Sequence, residues 1–346
     1  MKINFDQEFV YRTIQEIMAI DSPSGFTKNA VSYIEKFAKD FNLDFTWTNK
    51  GNGIISMKGN DESYTVGVCA HVDTLGLMVR SIKSNGRLAF TKVGGPILPS
   101  LDSEWCKVYT RDGKTYSGTI FSTSPAAHVY KEASTSSRDE DHMEVILDQK
   151  VKSKDDVLHL GIQTGDYICF TPKTTITDTG FIKSRFLDDK LSVVIILAVI
   201  KYMVENNIKP QYNVKFMMST FEEVGHGMSY IPEDIKELLC IDMGCIGLDL
   251  NCTEYDVSIC AKDSGGPYHY DMTSKLINLA KENDLNYAVD IYPFYGSDAG
   301  AALRSGHDIK YALIGAGVFA SHGYERTHYD AVDNSMNLLY LYLTSN

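Results

Sequence analysis

The sequence lacks every cysteine pattern that marks a thiolate site. Its seven cysteines (Cys69, Cys106, Cys169, Cys240, Cys245, Cys252 and Cys260) are odd in number, scattered and mostly inside apolar segments, without a CxxC pair. That argues against a cysteine zinc site or a redox dithiol, and leaves buried, reduced thiols of a cytoplasmic protein as the expectation. The start, Met-Lys-Ile-Asn-Phe-Asp-Gln-Glu, lacks a basic region followed by an apolar stretch, so no secretory signal is expected. The most apolar segment, Leu191 to Ile200, lies between Lys190 and Lys201. It is too short to span a bilayer, which takes about 20 residues. Positive charge is also in deficit: 33 Lys and Arg against 45 Asp and Glu leave a formal charge of -12. This argues against a nucleic-acid or anionic-membrane partner. No internal repeat or low-complexity tract is present.

What is present is a chain of 346 residues, 44% hydrophobic and 23% charged, able to bury a large core as two domains or as one with an insertion. Helical spacing covers residues 5–20 and 27–41, around the turn cluster Asp21-Ser22-Pro23-Ser24-Gly25. Strand patterns follow at 44–48, 53–58 and 64–70, the last ending in His71-Val72-Asp73. From about Thr74 to Thr177 the chain is rich in short strands and turns, with one possible helical piece at 124–133 and a polar loop at 134–142. Alternation of helices and strands resumes at Arg185, so an all-β module is read as inserted into an α/β chain, with residues 1–73 and 178–346 as the main domain. A strongly apolar helix is expected at 190–205. Residues 315–329 are expected to form a loop with two histidines, and 334–343 a closing helix.

The stretch Val214 to Met228 carries an apolar, β-rich run into Glu222-Glu223 and then glycines. Such a run suits a buried parallel strand, and parallel sheets present chemistry beyond their carboxyl edge. Alone, the pair is a common dipeptide on a solvated face. Four more segments place a metal-type ligand after an apolar strand or at a helix mouth: His71, Asp188, Asp242 and His322, with Glu223 the fifth candidate. Carboxylate oxygen and neutral imidazole suit zinc, manganese or cobalt, and five ligands meet the count for two metals sharing one carboxylate. Each has a bland alternative: a satisfied buried histidine for His71, a helix N-cap for Asp188, a strand-end turn for Asp242, a solvated loop residue for His322. Asp73 follows His71 by two and so points the same way, as a carboxylate that would orient the imidazole. His226 and His328 compete with His322. His128, His142, His159, His269 and His307 are read as bland.

Taken in order, Ala70-His71-Val72-Asp73, Leu187-Asp188-Asp189-Lys190, Glu222-Glu223-Val224-Gly225, Ile241-Asp242-Met243-Gly244 and Ser321-His322-Gly323 resemble the M42 family of metallo-aminopeptidases, of the glutamyl or deblocking type. Ser22-Pro23-Ser24-Gly25-Phe26 and Tyr295-Gly296-Ser297-Asp298-Ala299 extend the resemblance over nearly the whole chain. It implies an α/β fold: a phosphorylase/hydrolase-like mixed-sheet catalytic domain with a small β-barrel or PDZ-like domain inserted between the first histidine and the bridging aspartate. Related M20 peptidases carry their extra domain after the paired glutamates, an interval that here reads as continuing α/β. The resemblance also implies two divalent ions per subunit, Zn2+ or Co2+. Asp188 would bridge them, with His71 and Asp242 on one metal and Glu223 and His322 on the other. Glu222 would be the general base acting on a metal-bridged water, and Asp73 would orient His71. Short peptides would be the substrates, and the inserted domain would build a homo-oligomer between dimer and dodecamer. Three positions depart from the family: Thr74 where Glu is common, Phe319-Ala320 where Arg-Tyr is common, and Lys190 where Arg is frequent. The alternatives are a glycoside hydrolase of the endoglucanase kind and a non-catalytic metal-binding scaffold.

Overall fold

The apolar run Tyr212–Ser219 becomes a strand between an antiparallel neighbour, Gly53–Met57, and a parallel one, Asp61–His71. Ile235–Ile241 and then Lys310–Val318 extend the parallel set, so four adjacent strands share one direction. They are the centre of a ten-stranded sheet whose flanking strands include Asp44–Trp47 on one side and Val257–Asp263 on the other. The structure, a computed structural model, describes residues 2–345. It divides into two compact units, one comprising residues up to Asp73 and from Lys173 onward, the other Thr74–Pro172.

Alternation along the central strands decides which residues face which layer. Cys69, Met217, Cys240 and Leu313 face a cluster with Met228, Tyr292, Ala299 and Ala302, the alanines belonging to the helix Asp298–Arg304. The helix Leu187–Glu205 packs against Asp61–His71 and between the helices Gln7–Met18 and Tyr329–Thr344. Every residue from Leu187 to Ile200 is buried, which accounts for a segment apolar on all sides. Each fully buried Val, Leu or Ile there contributes about 1.5–3 kcal/mol. The N-terminal end of this helix is therefore firmly seated.

The second unit is a closed six-stranded barrel in the order Gly76–Ile82, Leu88–Val93, Met143–Leu147, Thr115–Ser122, Glu104–Tyr109, Tyr167–Phe170. Leu77, Val79, Phe90, Val108, Ile120, Val145 and Ile168 fill it. Glu104–Tyr109 shows the period-two pattern plainly, with Trp105 and Lys107 out and Cys106 and Val108 in. Segment 124–133 is a series of turns and not a helix. The barrel unit instead has a short helix at Lys154–His159, set by a capping box between Ser153 and Asp156, which is too brief to show a hydrophobic period.

Two ranges near the C-terminus differ from expectation. Lys310–Val318 runs further as a strand, and Glu325–His328 is a second strand that pairs with Phe181–Ser184. The last helix begins at Tyr329, where the His328 side chain accepts from the Asp330 N–H.

Candidate metal centre

The carboxyl edge of the four parallel strands collects the candidate residues. Ser219 lies opposite His71 in register, so the turn after one strand meets the end of its neighbour. Glu222–Val224 forms a single 3-10 turn closed by Gly225 in the left-handed region, φ 84°. Asp242 follows Ile241, and its N–H donates to the Ile314 carbonyl at 3.0 Å. A Cβ on Gly315 would stand 1.7 Å from the Asp242 carbonyl oxygen, so this close approach requires glycine. Phe186, at φ 68°, turns the chain into Leu187–Glu205, and Asp188 and Asp189 precede its regular turns, joined by a cis peptide.

Asp188 is 8% exposed, and its two oxygens face different histidines. Oδ1 is 3.1 Å from His71 Nε2, and Oδ2 is 3.6 Å from His322 Nε2. His322 Nε2 is also 3.7 Å from Glu223 Oε2, and His71 Nε2 is 3.6 Å from Glu222 Oε2. Ligand-type atoms of His71, Asp188 and Glu223 lie within 4.8 Å of one another, and so do those of His71, Asp189 and Asp242. A cavity of about 270 Å³ opens over Asp188, Glu222, Glu223, Asp242 and His322, walled by Phe294 to Asp298 and Arg304.

Asp73 is wholly buried, but its carboxylate is not the nearest partner of His71. His71 Nδ1 meets the Asp73 backbone carbonyl at 2.9 Å, with the carboxylate at 3.5 Å. That carboxylate accepts the Ser24 hydroxyl at 2.5 Å and the backbone N–H groups of Glu222 and Glu223. The imidazole is thus held at Nδ1 by the Asp73 main chain with the carboxylate close by, and the same carboxylate aligns the glutamate turn.

Three further buried carboxylates support this part of the chain and carry no role from the motifs. Asp189 accepts the His71 N–H at 3.1 Å, and its aspartate pair was the available signal. Asp298, inside a motif that the resemblance includes, accepts the Met228 N–H at 2.8 Å and the Ser219 hydroxyl. Glu325 accepts from the Asp188 and His322 main chain, and nothing in its sequence setting marks it. His328 stands apart: its Nε2 meets the Thr179 carbonyl at 2.7 Å, and its ring packs against Phe181 and Tyr255. His226 stacks on Phe221.

Crowding of buried acids dominates the electrostatics. Burial, together with neighbouring carboxylates, pushes Glu222 and Glu223 well above the usual range and Asp242 up to about 8. Burial alone would lower His71, but Asp188, Asp73 and Glu222 outweigh it and hold the imidazole well above its ordinary value. Glu223 Oε1 and Asp189 Oδ1 are buried without a hydrogen-bond partner. A concentrated set of carboxylate oxygens and imidazole nitrogens, with two oxygens unsatisfied, fits divalent cations.

Comparison with known proteins decides the family. The sequence pattern of the M42 glutamyl aminopeptidases matches residues 51–338. The chain belongs to this family. It is a peptide hydrolase, built on a mixed α/β sheet with a closed barrel. This M42 chain is 44% identical over 333 residues to a putative aminopeptidase, YhfE, of Bacillus subtilis, covering 96% of each. Among solved structures it superposes on the TET aminopeptidase of Thaumarchaeota archaeon SCGC AB-539-E09 with a TM-score of 0.87, at 18% identity, over 98% of this chain and 96% of that one. It also superposes on the Pyrococcus horikoshii TET1 peptidase with a TM-score of 0.84, at 22% identity, over 97% and 100%. That peptidase can assemble into a tetrahedron or a large octahedral shell. Among the described residues, no helix is long and apolar enough to cross a membrane.

Proposed function

We propose that this M42 chain is a two-metal aminopeptidase that removes N-terminal residues from short peptides. The observation that carries the reading is the Asp188 carboxylate, which offers one oxygen toward His71 and the other toward His322. A shared carboxylate of this kind is what two adjacent cations require. Asp188 is assigned to both, His71 and Asp242 to one, and Glu223 and His322 to the other. When bound there, the cations, Zn2+ or Co2+, would polarise the scissile carbonyl and acidify a water molecule.

Glu222 is assigned the proton work. It borders the same cavity, and its backbone N–H is held by Asp73. It would take a proton from the attacking water and pass it to the leaving amine. The acidic lining favours the positively charged N-terminus of a peptide. A glycosidase would use two carboxylates opposed across a sugar bond. His71 and His322, each set against carboxylates, favour the peptidase.

The assembly of the TET1 relative supports a homo-oligomer here, from dimer to dodecamer, that would restrict access to short peptides. Cysteines that form no disulfide among the described residues support a cytoplasmic setting. The deciding experiment strips the protein of metal, reloads it with Zn, Co or Mn, and assays a panel of aminoacyl chromogenic substrates. Cleavage should return only with metal, and activity that survives complete removal would overturn the mechanism.

A further inference from the structure

Glu325 is 2% exposed, yet both of its carboxylate oxygens are engaged by backbone donors, one in its own loop and one from a segment far away in sequence. Oε1 accepts the His322 N–H at 3.0 Å, and Oε2 accepts the Asp188 N–H at 3.2 Å. We propose that Glu325 is a positioning residue that locks Asp188 and His322 together and thereby secures the cation on the His322 side of the centre. The inference rests on the two-metal reading.

The two segments that it joins each contain residues in the left-handed region. Ala320 and His322 both adopt left-handed φ values, 62° and 63°, and Phe186 does so at 68°. Side-chain-bearing residues remain in that region where the surroundings hold them. Glu325 supplies the hold from a strand: it lies opposite Ser184 in the antiparallel pair of Glu325–His328 with Phe181–Ser184. Two N–H donors converging on one side chain call for two acceptors, and only a carboxylate presents acceptors at both positions. With both oxygens so occupied, Glu325 is a support for ligands and not a ligand itself.

Asp73 provides the same service elsewhere, taking the N–H groups of Glu222 and Glu223. Asp73 and Glu325 are therefore supports for different parts of the centre. Asp73 holds the glutamate turn, and Glu325 holds Asp188 to His322. Loss of one should loosen part of the site, not all of it.

Glu325→Gln tests this. The glutamine amide keeps size but turns an N–H2 toward one of the two backbone donors. Zinc titration against a competing chelator, with metal counted per subunit after gel filtration, gives the affinity of each site. The expected result is a folded variant in which one zinc ion binds with near wild-type affinity and the other about 10–100-fold more weakly, as for other residues that orient ligands. Raising free zinc should then restore aminopeptidase turnover. Unchanged affinity at both sites, or equal weakening of both in step with a lower melting temperature, would overturn the proposal. If Glu325→Gln fails to fold, Glu325→Asp is read by the same titration: it keeps the charge but is too short to reach both donors, and selective loss of one ion is again required. Wild-type protein that binds no zinc would instead remove the two-metal reading itself.

Discussion

The Asp73 carboxylate receives the backbone N–H of Glu222 at 3.1 Å through Oδ1. Its other oxygen receives Glu223 at 3.2 Å, so a residue beyond one strand sets the turn beyond the next. Asp73→Asn replaces one of these oxygens with a donor that faces an N–H. Turnover or metal affinity should fall about 10–100-fold while the circular dichroism stays unchanged. Steady-state kinetics and metal analysis on the purified variant check it, and a fully active variant would leave the carboxylate without a role.

Glu222→Gln retains shape and hydrogen bonding but cannot accept a proton. Metal content should remain at the wild-type level, and kcat should drop by about 10²–10⁴-fold. Near-normal turnover in the fully loaded variant would transfer the proton work to another group.

His322 and His328 separate by the kind of damage that their loss causes. His322→Ala should reduce occupancy of one cation, because its Nε2 faces Asp188 and Glu223. His328→Ala should leave metal content intact and cost about 1 kcal/mol, since the side chain caps the last helix. Metal analysis together with urea denaturation distinguishes them, and the reverse pattern would reassign the ligand.

Gly315→Ala places a methyl group on the Asp242 main chain, where no flexible side chain can yield. Destabilisation of about 1–3 kcal/mol is expected, as for other overpacked sites. Activity should fall with it, because Asp242 must shift. A variant with wild-type urea midpoint and kinetics would show that the strands can separate at no cost.

Much of the candidate site is legible because of how parallel sheets work. His71, Glu222, Glu223 and Asp242 each follow an apolar run that becomes a central strand. Their apolar runs and carboxyl-end positions can be read locally, since a strand buried on both faces needs little but Val, Ile, Leu and Met. The helix Leu187–Glu205 is legible for the same reason. Its all-round apolar character shows that it is buried, and Asp188 stands at its mouth.

Other features have no local signature. Segment 315–329 reads as a loop with two histidines, but Glu325–His328 forms a strand because Phe181–Ser184 supplies a partner far away in sequence. Asp73 reads as a buttress for His71, although its carboxylate is used chiefly by Ser24 and two backbone amides.

The sequence by itself determined the apolar runs, the residues that end them and the order of the ligand types, because burial and turn formation act on neighbouring residues. Only the tertiary structure decided that Asp188 faces His71 and His322, that His328 instead meets the Thr179 carbonyl, and that Asp73 and Glu325 hold the surrounding main chain. These are contacts with backbone groups and side chains from other segments. Every residue but proline carries the same N–H group, so composition and spacing cannot show which one a buried carboxylate will meet.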